Sequence, residues 1–259
     1  MFKKRNLIFL CLLILGVLLI AGCSPNPPIT IITVTFDSQG GSAVDSQIVS
    51  DDEKVTKPTT PTKEGYNFGG WYKESECTNV WDFDTDTVTS DVTLFAKWTP
   101  LYALRDTGPA GGLIFYVKEG GFSDGWMYLE AAPSDQSAFA VWGCSGGGSI
   151  SGADGTAVGT GEQNTIDIET GCVTAGTAAD ICANLSLGGY SDWFLPSKDE
   201  LNLMYTNLKV AGVGGFAEDG YWSSSEYDAN IAWVLHFGIG FQDGYPKNLG
   251  LRVRAVRAF

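Results

Sequence analysis

The first 22 residues decide how much of the chain is left to fold. Lys3, Lys4 and Arg5 precede an apolar run over residues 7–20, and Ala21, Gly22 and Cys23 follow it. These 14 residues fall short of the roughly 20 that a helix needs to cross a bilayer. Basic, then apolar, then small is the layout of a secretory signal. Removing residues 1–22 takes away three positive charges and no negative ones, leaving 237 residues with 13 basic and 30 acidic side chains, a net charge of −17. So acidic a chain lacks the basic face that would displace the counterions of a nucleic acid. A single His excludes chemistry that needs several imidazoles. With 18% charged and 44% hydrophobic residues and eight Trp, the chain has enough apolar area to offset the entropy of ordering.

Leu19-Ile20-Ala21-Gly22-Cys23 resembles a bacterial lipobox. The resemblance implies that Cys23 is lipidated and becomes the mature N-terminus, and that the protein sits in the bacterial cell envelope, lipid-anchored, at the outer surface. Two or three acyl chains hold where one would not, and an acidic exterior does not seek anionic headgroups. Export also permits disulfides. Cys11 leaves with the signal, so Cys77, Cys144, Cys172 and Cys182 remain. One pair is expected among Cys144, Cys172 and Cys182, with Cys77 free or paired with the third; sequence leaves the connectivity open. Their spacings match no zinc pattern and no His lies near them, so no metal and no cofactor is expected.

A Pro-rich tether, 23–32, lifts the rest off the membrane. Residues 33–98 read as short strands at 33–36, 46–49 and 92–98 with a turn at Gly40-Gly41, and Pro58 and Pro61 bar a helix between them. Residues 99–104 join this region to a second one, 105–259. There, 111–117 and 126–131 read as strands, and 145–176 as a Gly, Ser and Thr rich loop pinned by a disulfide. Its glycines lack the Lys of a phosphate loop, so nucleotide binding is not expected. Two helices follow. One spans 177–187 and stops at Gly188-Gly189. The other begins at a capping box of Ser197 and Glu200, buries Leu201, Met204 and Leu208, and ends before Gly212. Strands at 221–225, 232–237 and 251–259 complete an α+β chain.

Two resemblances give these regions names. Val34-Thr35-Phe36-Asp37-Ser38-Gln39-Gly40-Gly41, Gly65-Tyr66-Asn67-Phe68-Gly69-Gly70-Trp71-Tyr72, Trp81-Asp82-Phe83 and Leu94-Phe95-Ala96-Lys97-Trp98 resemble one Listeria–Bacteroides repeat, the B-repeat of internalin-type surface proteins. That implies a small β-grasp-like spacer or adhesive module. Asp82, Asp84 and Asp86 have the spacing of a calcium loop, but Thr87 stands where such a loop needs Gly. Gly108-Pro109-Ala110-Gly111-Gly112, Gly159-Thr160-Gly161-Glu162-Gln163-Asn164-Thr165, Trp193-Phe194-Leu195-Pro196-Ser197, Trp222-Ser223-Ser224-Ser225-Glu226 and the closing Val253-Arg254-Ala255-Val256-Arg257-Ala258-Phe259 resemble the C-terminal domain of the Legionella collagen-like adhesin. This implies a C-type-lectin-like fold of the formylglycine-generating-enzyme type, with two helices and many short strands.

Within that domain the tail resembles the variable proteins of diversity-generating retroelements, in which a fixed scaffold brackets rewritten positions. The resemblance implies a scaffold that includes Trp222, Ala232, Trp233, Phe237, Gly240, Gln242 and Lys247. It implies a ligand-binding face of Val234, Leu235, His236, Gly238, Ile239, Phe241, Asp243, Tyr245, Asn248, Leu249 and Leu251, with Gly244, Pro246 and Gly250 also rewritten. Alternation along 233–237 should turn about half of these side chains inward. Asp243-Gly244 reads as a tight turn, and Trp193, Trp222 and Trp233 as core. His236 and the serines 223–225 have no elbow or partner that would make a nucleophile, so no enzyme is expected. The expected function is a lipid-anchored receptor or adhesin for an extracellular protein or glycan. Two alternatives are a structural envelope lipoprotein without a specific ligand and a divergent formylglycine-generating-type enzyme. The latter needs a late pair of copper-binding cysteines, and this chain has no Cys after 182.

Overall fold

The computed structural model describes residues 30–259; the signal, Cys23 and the tether up to residue 29 lie outside the described residues. No helix among the described residues is long and apolar enough to cross a membrane.

The first module is a four-stranded mixed sheet of β1 (Ile31–Asp37), β2 (Gln47–Ser50), β3 (Tyr66–Tyr72) and β4 (Val92–Pro100) in the order β2-β1-β4-β3, with β1 and β4 parallel at the centre. Strict alternation along β1 buries Ile32, Val34 and Phe36, which pack with Trp71, Trp81, Leu94 and Ala96. Segment 51–65 crosses over this core without a helix, as Pro58 and Pro61 require. A side chain at Gly41 would run into the ring of Trp98, whose indole donates to Ser38 O at 2.8 Å. β3 escaped the sequence reading because a bulge between Phe68 and Trp71, at Gly69-Gly70, breaks its alternation.

The second module holds two sheets. β5 (Leu113–Val117) and β6 (Tyr128–Ala131) pair with the last strand, β12 (Val256–Ala258). The larger sheet has the order β10-β9-β8-β11-β7, from β7 (Ser137–Ala140), β8 (Gly220–Glu226), β9 (Ile231–His236), β10 (Phe241–Pro246) and β11 (Leu251–Val253). Every residue of β8 is buried, because the sheet is covered on both sides. One face carries Trp142, Trp193, Trp222, Val234 and Val253, and the other Leu201, Met204, Leu208, Tyr221, Leu235 and Phe237.

Three α-helices pack here, not two. α1 (Gly161–Gly171) lies inside the stretch expected to be a loop. Its buried stripe of Gly161, Asn164, Thr165 and Ile168 has helical spacing but is largely polar or small, which hides it from a hydrophobic reading. The disulfide is Cys144–Cys172, with Cα atoms 5.5 Å apart, and it ties the end of α1 to the 144 loop. Cys182, also a disulfide candidate, is a free thiol buried on α2 (Ala178–Ala183), and Cys77 is free and half-buried. α2 ends at Asn184, short of the expected 187, where the Asn184 amide bonds back to Asp180. α3 (Lys198–Met204) opens with the expected reciprocal capping box and runs into a π-helical turn, Tyr205–Lys209, that keeps Leu208 buried.

Ion pairs of two buried arginines hold the tail to the module. Arg254 donates to Asp135 at 2.7 Å and to the carbonyls of Ala132 and Gly214. Arg257 reaches Asp192 at 2.7 Å and the fully buried Glu130 at 3.4 Å. Glu130 also accepts from the amides of Ala110 and Gly112, so the glycine loop 108–112 is wrapped around a carboxylate. Side chains at Gly108 or Gly112 would collide with Glu130 or Ala131.

The two modules meet around Tyr128. Its hydroxyl donates to Gly65 O at 2.6 Å and accepts from Leu101 N at 2.7 Å. Tyr66, Tyr102 and Phe259 pack beside it.

Candidate functional site

β9 and β10 form an antiparallel hairpin in which His236 faces Phe241, Val234 faces Asp243 and Ala232 faces Tyr245. Its turn is Phe237-Gly238-Ile239-Gly240: the amides of Ile239 and Gly240 both donate to His236 O, and Gly240 takes φ +70 beside the Tyr205 ring. The expected tight turn at Asp243-Gly244 is therefore mid-strand. Two glycines in the linker already supply the positive or unhindered backbone that a short hairpin needs.

Two of the expected contact residues are core. Val234 and Leu235 are both fully buried, Val234 against Trp222 and Leu235 against Leu201 and Met204. β9 lies inside the sheet with both faces covered, so the alternation that would expose one of the two does not apply. The others reach the surface. Ile239, Phe241 and Leu249 are exposed to 76%, 55% and 42%; Gly238, Asp243 and Asn248 are also exposed, while His236, Tyr245 and Leu251 are half-buried. His236 Nε2 and Tyr245 Oη lie 2.9 Å apart. A Cβ at Gly220 would stand 3.4 Å from His236 and 3.5 Å from Leu251. The outward residues thus lie on β10, the turn before it and the loop after it, with the half-buried His236 and Leu251 flanking Gly220.

Beneath the strip, each supporting group is tied down. Gln242 Nε2 donates to Lys198 O at 2.8 Å. Lys247 is fully buried, paired with Glu226 and 4.6 Å from the centre of the Trp142 ring. Glu226 in turn accepts from Ile150 N with both oxygens. Ser223 donates to Trp233 O, Ser224 accepts from Asn164, and Ser225 donates to Gly155 O and accepts from Lys198 N. All three hydroxyls serve the scaffold.

Sequence reasoning missed the setting of one aromatic. Trp193 and Trp222 are core, but Trp233 is half-buried, with Lys198 Nζ 3.7 Å from its ring centre and the exposed Tyr227 edge-on at 5.2 Å. The Lys198 side chain at the start of α3 covers that ring only in part, which a strand pattern alone does not reveal.

Among the described residues no group of three or more His, Cys, Asp or Glu is placed to hold a metal ion. Asp82, Asp84 and Asp86 fold onto their own turn: Asp86 accepts from Asp82 N and from Lys73 at 3.0 Å.

Residues 33–97 match the Listeria-Bacteroides repeat domain, and residues 132–257 match the Lcl C-terminal domain. The chain joins one such repeat to one such domain. The candidate strip lies wholly within residues 132–257, on the sheet that holds β8 to β11. Among curated proteins, the chain is 48% identical over 66 residues to one described as a Gly-rich membrane protein of Evansella cellulosilytica, covering 26% of this chain and 8% of that one. It is 39% identical over 80 residues to Internalin H of Listeria monocytogenes, covering 30% of this chain and 14% of the relative. The chain thus spans less than a sixth of the length of these relatives.

Proposed function

We propose that this chain is a lipid-anchored bacterial surface protein whose Lcl C-terminal domain binds an extracellular protein or glycan through the β9–β10 strip, without chemistry. One observation carries the reading: large apolar side chains, Ile239, Phe241 and Leu249, stand in water on a frame whose every support is hydrogen-bonded or buried. Exposed apolar side chains that gather into one patch mark an interaction surface. The repeat, and names such as Internalin H among the relatives, support a place at the cell surface. The lipobox supplies the anchor at Cys23. Rewriting of the strip by a retroelement belongs to the same proposal, and it is supported by the two residues that interrupt the block, Gln242 and Lys247, being scaffold.

The test offers the purified chain and its Phe241→Ala, Ile239→Ala double variant to a glycan array and to a phage-displayed peptide library. Capture that the double variant loses, at unchanged melting temperature, is the expected result. Equal capture by both proteins, or a large drop in melting temperature, would mean that the tail only packs. For the rewriting, a downstream DNA copy of the tail differing at adenines, beside a reverse transcriptase gene, is expected.

A further inference from the structure

All four basic side chains of the segment 227–259 are committed. Lys247 is sealed against Glu226, Arg252 lies between Asp135 at 3.0 Å and Asp219 at 3.2 Å, Arg254 holds Asp135, and Arg257 holds Asp192 and Glu130. The acids beside the strip are not matched in the same way. Asp243 and Asp228 are exposed and, among the described residues, form no ion pair; their oxygens cap only backbone amides of their own turns or strand. Glu218 meets Lys209 only at 3.9 Å, with 80% of its side chain in water. The segment therefore presents apolar side chains at Ile239, Phe241 and Leu249 and an unpaired carboxylate at Asp243, while its own four basic side chains are all paired.

We infer that the occupant of this face is a protein surface presenting Lys or Arg around an apolar knob, and not an acidic glycan. The inference rests on the binding-face reading above and adds the chemistry of the partner. A Lys or Arg brought to Asp243 finds a carboxylate with no competing cation. A sulfated or uronic-acid sugar brought to Asp243 would meet a carboxylate, a like-charge approach that suppresses the wrong partner. Phe241 and Ile239 gain by leaving water only against another apolar surface, and a protein supplies both features in one patch.

A phage-displayed random peptide library and immobilised heparin test this on the full chain, beside its Asp243→Lys and Phe241→Ala variants. Both positions are exposed, and thermal melting checks that each variant folds. Selected peptides are expected to be rich in Lys or Arg together with aromatic or aliphatic residues. Their capture should fall about tenfold or more in either variant, and again when salt is raised to about 0.5 M, where screening is short-ranged; heparin should wash through. Retention of heparin by the unaltered chain would overturn the inference, as would peptides without basic residues. Capture that needs Phe241 but ignores Asp243→Lys removes the inference and leaves the binding face standing. Capture that ignores both changes, or no selection at all, removes the binding face as well.

Discussion

Lys247 and Glu226 form an ion pair with both side chains out of water, 0% and 3% exposed. The pair joins the loop after β10 to the end of β8, and the Glu226 carboxylate also holds Ile150 N. Position 247 is therefore fixed although Pro246, Asn248 and Leu249 around it are exposed.

Removing one partner leaves the other charge buried alone. Lys247→Met is expected to cost about 3–5 kcal/mol, measured by denaturant unfolding. The double change Lys247→Met, Glu226→Gln should cost less than the two single changes together, because it removes the orphaned charge.

The buried and exposed members of the strip should separate cleanly. Leu235→Ala opens a cavity between β9 and α3 and should cost about 2–5 kcal/mol. Phe241→Ala, already largely in water, should stay within about 1 kcal/mol. Equal losses at the two positions would refute the placement of Phe241 on the surface.

Burial pushes the Glu200 carboxyl from 4.5 up to about 7, against the hydrogen bonds from Ser197, Gly159 and Gly161 that favour its charge. The folded protein thus holds this proton more tightly than the unfolded chain. Its contribution is fully present below about pH 4.5 and is withdrawn as pH rises through about 7. Between these values the melting temperature of the natural chain should fall more steeply with pH than that of Glu200→Gln, as followed by calorimetry. Parallel slopes would exclude Glu200 as the group responsible.

The cysteines give a fourth prediction. Cys144→Ser opens a loop of 28 residues and should cost roughly 3–4 kcal/mol. In the folded chain, maleimide labelling mapped by mass should modify Cys77 and spare Cys182, whose thiol burial holds far above its ordinary pKa. Labelling of Cys182 should begin only with unfolding.

Much of the fold was legible because local signals agreed with it. β1 alternates, α3 carries its capping box, and the two arginines of the closing motif each find an acid. α1 was not legible, since its buried stripe is built from Gly, Asn and Thr rather than apolar residues. β3 was hidden by its bulge and β7 by its length of four residues. For the candidate face, which of the named residues stand in water was not legible. Alternation presumes one covered side, and Val234 and Leu235 lie in a strand covered on both. Lys247 shows the converse case, a charge that sequence places outside and packing places inside.

Phe259 closes the chain against the seam between the modules. Its carbonyl accepts from Met127 N and Tyr128 N, and its ring leans on Tyr102 and Tyr128. Coding changes between residues 234 and 251 that keep the reading frame leave this seam alone. Those that shift the frame or stop translation lose Phe259, and with it the fastening of repeat to head.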